Sequence, residues 1–338
     1  MSYLLNTLSG VGILLHILLL LVPILIGVAF FTVTERQILS AVQRRQGPNA
    51  VGISGLLQAL ADAAKLLVKE TIIPASSNKL LFLGAPLVTF VLALTSWSVI
   101  PIAPHGAYSD PSLGMLFLLA LSSFAVYGVL IAGWASNSKY AFRGGLRSAA
   151  QIVSYEVSIG FLLVSVVLCG GSLNITKIVL AQKDVWMATP LIPVILLFFV
   201  SLLAETNRHP FDLPEAEAEL VSGYNVEYSA AGFVLFFIGE YANIILMSVL
   251  ISILFFGGWF CPRGIFSGAF ITALKTLVFM IRFILARAAY PRFRYDQLIR
   301  LGWKVFLPRS IGLLFGVAIL LYGMNGFPHG LNFNIYGY

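Results

Sequence analysis

Charge is scarce in this 338-residue chain: Asp, Glu, Lys and Arg supply 10% of it, against 59% hydrophobic residues and a mean hydropathy of +0.93. Soluble globular domains carry about 25% charged residues, so that class is excluded. Cysteine is almost missing too, and Cys169 and Cys261 stand far apart. That lacks the clustered spacing that zinc or iron–sulfur ligation needs. The four histidines, His16, His105, His209 and His329, are scattered over spans, loops and tail, which argues against paired haem ligation. No glycine-rich nucleotide fingerprint follows a strand, and there is no Walker loop. The short alternating segments of a membrane β-barrel are absent as well. The sequence therefore predicts no metal site, no redox cofactor and no catalytic residue of its own.

What is present is a series of long apolar runs. A helix crosses about 30 Å of hydrocarbon with about 20 mostly apolar residues. Runs of that kind are read near residues 9–33, 80–103, 113–135, 152–172, 187–204, 230–256, 268–287 and 310–325. The predicted fold class is all-α, a polytopic integral membrane protein of about eight transmembrane helices in a single membrane domain over 1–338. The first run has no basic leader and no small-residue cleavage site, so a retained helix is expected rather than a signal peptide.

The net charge of +7 is a topological signal, not a nucleic-acid one, because the basic residues lie between spans. Loop 1 carries Arg36, Arg44, Arg45, Lys65, Lys69 and Lys79. Loop 3 carries Lys139, Arg143 and Arg147, loop 5 has Arg208, and loop 7 (287–309) has Arg287, Arg292, Arg294, Arg300, Lys304 and Arg309. Across the membrane there are only Lys177, Lys183 and Arg263, while Lys275 and Arg282 fall inside span 7. The bias of 16 against 3 puts the odd loops on the cytoplasmic or matrix side and both termini opposite.

Two loops are patterned beyond what a connection requires. In loop 1 (35–79), Gln58, Asp62, Lys65 and Lys69 recur at helical spacing, and Leu56, Leu57, Leu60, Ala64, Leu67 and Val68 fill the remaining arc. This predicts an amphipathic helix over 54–69, turned into by Gly47, Pro48 and Gly52 and stopped by Pro74, which lies on the membrane or covers a cavity. Loop 5 (204–229) is acidic: Glu205, Asp212, Glu215, Glu217, Glu219 and Glu227 surround the lone Arg208. Next to it the spans hold ionisable groups, Glu156 beside Tyr155 and Glu240 on a face with Phe233, Phe236, Phe237 and Ile244. An intramembrane charge is costly and is turned inward, paired or functional. Carboxylates clustered under burial can exchange protons near neutral pH. For Glu35, Glu205 and Lys275 an interfacial structural role stays open.

Four stretches, 35–70 (ERQILSAVQRRQGPNAVGISGLLQALADAAKLLVKE), 136–156 (SNSKYAFRGGLRSAAQIVSYE), 204–228 and 287–304 (RAAYPRFRYDQLIRLGWK), carry a resemblance. In this order and over almost the whole chain they resemble the quinone-chamber subunit of respiratory complex I, the proton-pumping NADH:ubiquinone oxidoreductase. The resemblance implies that ubiquinone is the substrate and that loop 1 with spans 1 and 6 frames the opening of its chamber. Arg36, Arg45, Asp62, Arg287 and Phe237 would border that chamber. Glu35, Tyr127, Tyr155, Glu156, Glu205, Asp212, Glu215, Glu217, Glu227 and Glu240 would form the acidic path that couples quinone reduction to proton translocation. It further implies hydrophilic quinone-site and iron–sulfur subunits and small membrane subunits as partners, a lipid bilayer but no nucleic acid, and no cofactor held covalently or by metal ligation. The expected location is the mitochondrial inner membrane, with the bacterial plasma membrane as the alternative. Ala59 stands where the family has Pro, and His209 where small or apolar residues are commoner. Alternative readings are a homologous subunit of a hydrogenase-type membrane complex, a secondary ion transporter, for which matched inverted repeats are not visible, or a structural anchor for a soluble oxidoreductase.

Overall fold

Apolar runs without water to satisfy their backbone must close their hydrogen bonds internally, and this chain does so as helices. A computed structural model describes residues 2–104, 106–212, 223–261, 268–324 and 326, and among these there is no strand. Helix α1 is Ser2–Val42, and a short 3₁₀ turn (Ile53–Gly55) leads into α2, Gln58–Val68. Then follow α3 (Lys79–Ser96), α4 (Gly114–Ala135), α5 (Lys139–Gly170), the short α6 (Ile175–Leu180) and α7 (Ile192–Glu205). After loop 5 come α8 (Ala230–Phe255), α9 (Ala269–Ala289) and α10 (Tyr295–Arg300), which runs through a π-helical segment (Leu301–Phe306) into α11 (Leu307–Gly323).

Among the described residues, seven stretches are long and apolar enough to span a bilayer: Ile17–Val42, Lys79–Val99, Gly114–Ala135, Lys139–Gly170, Ala230–Phe255, Ala269–Ala289 and Tyr295–Gly323. The expected fifth span corresponds to α7, an apolar helix of only 14 residues that is not among them. Three helices exceed the apolar runs that announced them. Helix α1 continues past residue 33 to carry Glu35 and Arg36, α5 starts at Lys139 rather than near 152, and the last helical stretch starts at Tyr295 rather than near 310. The added turns are polar or built from small residues, so a hydropathy window does not register them.

The amphipathic helix forms close to where its periodicity put it. The chain enters it through Gly52 and Gly55, both at φ +75°. A side chain at Gly55 would place its Cβ 2.1 Å from the Pro48 carbonyl oxygen, so only glycine fits that turn. Helix α2 packs on α1 and α8 and buries none of its residues.

The core sits where α5, α7 and α8 meet, around Leu162, Phe198, Leu202, Ile251 and Phe255, each at most 1% exposed. A second cluster joins α3 and α4 to Tyr224, Tyr228 and Phe236. Helices α1 and α11 are peripheral, and their apolar faces are left for lipid or partner chains. Lys275 of α9 donates to the carbonyls of Phe256 (2.6 Å), Gly258 (2.8 Å) and Phe260 (2.7 Å), just beyond the C-terminal end of α8. These are carbonyls of the turn that follows the helix, and holding them accounts for the span's lysine structurally. Arg282 lies over the Phe279 ring, 5.3 Å from its centroid.

Candidate functional site

Glu35, about two turns before the end of α1, is 3% exposed and is the anchor of a buried charge cluster. Arg208 forms a forked pair with it, Nη1 to Oε1 at 2.7 Å and Nη2 to Oε2 at 3.2 Å. Arg287, at the end of α9, also donates to Oε1, and the Tyr241 hydroxyl of α8 donates to Oε2 at 2.6 Å. One carboxylate thus joins α1, loop 5, α8 and α9. Arg208 is itself buried, stacks over the Tyr241 ring (4.6 Å) and lies 3.8 Å from Glu240 Oε1. Burial alone would lower its pKa, but Tyr241, Glu35 and Glu240 more than offset this and hold the guanidinium above its ordinary range. Its charge is permanent at any working pH.

Loop 5 starts as a tightly held turn. Gln151 of α5 reaches Ala204 O (2.9 Å), Asn207 Oδ1 (3.0 Å) and Phe211 O (2.8 Å) with its side-chain nitrogen. The His209–Pro210 peptide is cis, and Phe293, beyond α9, donates its backbone N–H to Pro210 O at 3.1 Å. His209 Nε2 lies 2.8 Å from Asp212 Oδ2, with Arg292 Nη2 3.4 Å from the same oxygen.

Two cavities adjoin these groups. A cavity of about 90 Å³ is lined by Asn207, Arg208, His209, Asp212, Phe237, Glu240, Tyr241 and Arg287. A second, of about 120 Å³, runs among α3, α4, α5, α7 and α8 and is mostly apolar, yet Glu156, Glu205 and Glu240 all line it. Asn207 and Glu240 line both. In the apolar cavity Glu156 Oε1 accepts from Ser122 at 2.9 Å and from Ser123. Glu205 Oε2 is buried with no hydrogen-bond partner among the described residues. An unpaired buried carboxylate oxygen is expensive, and a proton or a water is what relieves it. Carboxylates, hydroxyls and a fixed cation around two cavities that share Asn207 and Glu240 are groups that can hold protons.

The structure therefore gathers Glu156, Glu205, Asp212, Glu240, Arg287 and Phe237 around the two cavities from distant stretches of the sequence, with Glu35 behind Arg208 and Arg287. The other expected site residues among those described line neither cavity. Tyr155 is fully buried but gives its hydroxyl to Leu298 O (3.1 Å), with its ring between Phe211 and Phe306. Tyr127 is 58% exposed on α4. Glu227 is half-buried and lines neither cavity. Arg36 pairs with Asp62 at 2.8 Å, tying α1 to α2 on an exposed face, and Arg45 bonds Gln43 at 2.7 Å. Glu215 and Glu217 lie outside the described residues, as does Glu219. Sequence reading missed Tyr241, Gln151, Asn207 and the serine pair 122–123. A tyrosine adjoining Glu240 and a glutamine one turn before Tyr155 were the available signals.

Similar proteins give this geometry a setting. The NADH dehydrogenase family profile matches residues 15–318. The chain is 56% identical to NADH-ubiquinone oxidoreductase chain 1 of Chondrus crispus, covering 94% of this chain and 99% of that one. It is 54% identical to the Arabidopsis thaliana protein of the same name, over 93% and 98% of the two chains. An NADH-quinone oxidoreductase subunit of the bacterium Paramagnetospirillum magneticum is 54% identical over 94% of each.

Proposed function

We propose, for a chain that belongs to the NADH dehydrogenase family, that it borders the quinone chamber of NADH:quinone oxidoreductase and converts quinone reduction into a change of proton occupancy inside the membrane. The chain is a multi-pass membrane subunit of that enzyme complex, in an inner or plasma membrane, and other subunits of the complex are its partners. The observation that carries the finer reading is Glu240, which lines both the charged cavity and the apolar one that holds Glu156 and Glu205.

The reading is electrostatic. Quinone dissolved in lipid reaches the chamber past α2, whose Leu60, Leu67 and Val68 are 64%, 75% and 87% exposed. A hydrophilic partner subunit supplies two electrons, and the reduced ring takes up two protons. Withdrawal of protons near Arg287 changes the charge that Glu35 presents to Arg208. Proton loss leaves that side more negative, so Arg208, at 2.7 Å from Glu35 and 3.8 Å from Glu240, is drawn to the first and its contact with the second weakens. Glu240, less compensated, then takes up a proton from the cavity it shares with Glu205 and Glu156, and gives it up toward small membrane subunits when reprotonation beside Arg287 lets Arg208 return to it. Arg208 works here as the hinge of charge between two carboxylates. Coupling requires that the two arrangements bind quinone and its reduced form differently, since equal affinity shifts nothing.

The test is Glu240→Gln in membranes holding the whole complex. NADH-dependent quinone reduction and the proton gradient should fall at least about tenfold, while NADH oxidation by a water-soluble artificial acceptor is unchanged. Full proton pumping in that variant would sink the reading.

A further inference from the structure

His209 is the one imidazole on the charged cavity, and its Nε2 faces two groups that ask opposite things of it. Asp212 Oδ2 at 2.8 Å requires an N–H there. Arg292, with Nε at 3.4 Å and Nη2 at 3.3 Å, requires a lone pair. One nitrogen cannot meet both demands. Asp212 is 7% exposed, its other oxygen, Oδ1, is buried with no partner among the described residues, and its Oδ2 also meets Arg292 Nη2 at 3.4 Å, so a proton on the pair and the Arg292 cation compete to compensate its charge.

We propose that His209 is a proton-holding and positioning residue of the quinone reaction, which decides through Asp212 how much negative charge faces the cavity. This deepens the function proposed above and rests on it. With a proton on Nε2, imidazole donates to Asp212 and Arg292 is pushed away. Without it, Nε2 accepts from Arg292, its contact with Asp212 becomes repulsive, and Asp212 turns away or takes a proton itself. One proton moves between Nε2, Oδ2 and the solvent that reaches Arg292, whose side chain is 38% exposed. Because Phe293 binds Pro210 and packs on Phe211, the exchange also loosens or tightens the seat of loop 5 on the chain after α9. Among the described residues, the other charged and titratable groups on this cavity are Arg208 of the loop, Glu240 and Tyr241 of α8, and Arg287 of α9, with Glu35 of α1 behind the two arginines. Arg208 and Arg287 already share Glu35, which leaves Asp212 as the carboxylate that His209 answers to.

The experiment is a pH profile of NADH:quinone turnover, kcat and kcat/KM separately, in membranes holding the complete complex. It spans about pH 5.5 to 8.5, where imidazole titrates, and is normalised to the artificial-acceptor rate. The parent complex should show a limb that His209→Gln removes, with native electrophoresis reporting assembly. Arg292→Gln, which removes the donor that competes for Nε2, should displace that limb. A His209→Gln profile superimposable on the parent overturns the inference. If His209→Gln fails to assemble, an unmoved limb in Arg292→Gln overturns it instead. An unchanged His209→Gln profile beside an impaired Glu240→Gln complex defeats only this inference, whereas full pumping in Glu240→Gln defeats the reading beneath it.

Discussion

At the scale of single residues, the buried charges separate into those the fold depends on and those it does not. Glu35 neutralises two arginines, and removing it strands Arg208 in the interior. Losing one partner of a buried pair costs about 3–5 kcal/mol, a large part of the about 5–15 kcal/mol by which a folded protein is stable. Glu35→Ala should therefore sharply reduce the amount of intact complex on native gels. Glu35→Gln, which keeps an acceptor for Tyr241, should reduce it less. Arg36→Ala removes only an exposed pair with Asp62, worth about 0–1 kcal/mol, and should leave assembly unchanged. Equal losses in Glu35→Ala and Arg36→Ala would contradict the division. The sign of the Arg208 shift adds a condition: a cation whose pKa is raised stays charged below its ordinary value and is lost only as pH rises beyond the raised one. No change in activity between about pH 5 and 9 should thus trace to Arg208. That role was only half legible in the sequence. Arg208 stood out as the one cation in an acidic loop, but its partner Glu35 is 173 residues away, and nothing local announces such a pairing.

At the scale of elements, a helix was readable where polar and apolar positions alternate at helical spacing and unreadable where its burial rests on small residues. Helix α2 was legible because its polar positions recur at helical spacing. The first half of α5 was not, because Ala141, Gly144, Gly145 and Ser148 are buried by close backbone approach rather than by hydrophobicity. Gly144 is the extreme case: a Cβ there would lie 2.7 Å from the Gly223 carbonyl carbon and 2.8 Å from Tyr224 N. Both contacts are backbone, so neither can swing aside. Gly144→Ala should push the Gly223–Asn225 turn off α5 at a cost of about 1–3 kcal/mol. Since Tyr224 lines the cavity of Glu156 and Glu205, quinone turnover and thermal stability should fall together. Unchanged melting of the solubilised complex would refute that contact. Helix α2 predicts a different signature. Leu60→Glu puts charge on a surface that meets lipid or quinone, so KM for a long-tailed quinone should rise several-fold while kcat with a short, water-soluble quinone holds.

For the whole molecule, the question is whether α7 crosses the membrane, because it decides the parity of the chain. At 1.5 Å per residue its 14 residues reach about 21 Å, short of about 30 Å of hydrocarbon. A lipid-facing helix of that length would be mismatched, but α7 buries Val194, Phe198, Ser201 and Leu202 completely or nearly so. The turn that follows it, held by Gln151, is enclosed by protein, and non-helical backbone at membrane depth is tolerated there. Charge supplies an independent argument. With α7 crossing, the basic residues divide 16 against 3 between the two faces. Without it, Arg208 and the six basic residues of loop 7 would move to the same face as Lys177 and Lys183, Arg263 would move the other way, and the bias would shrink to ten against nine. The positive-inside bias survives only if α7 spans. Eight crossings predict the N- and C-termini on one side, opposite loop 5. Small epitope tags at both ends, probed with protease in sealed vesicles of known orientation, should be cut from the same face. A same-face result with loop 7 accessible from the other side upholds eight crossings. Cleavage of the two tags from opposite faces would mean that α7 does not cross, and would set Glu35 on one face of the membrane and Arg208 and Arg287 on the other. The pair at 2.7 Å between Glu35 and Arg208 could not then form, and the coupling built on that cluster would fall with it.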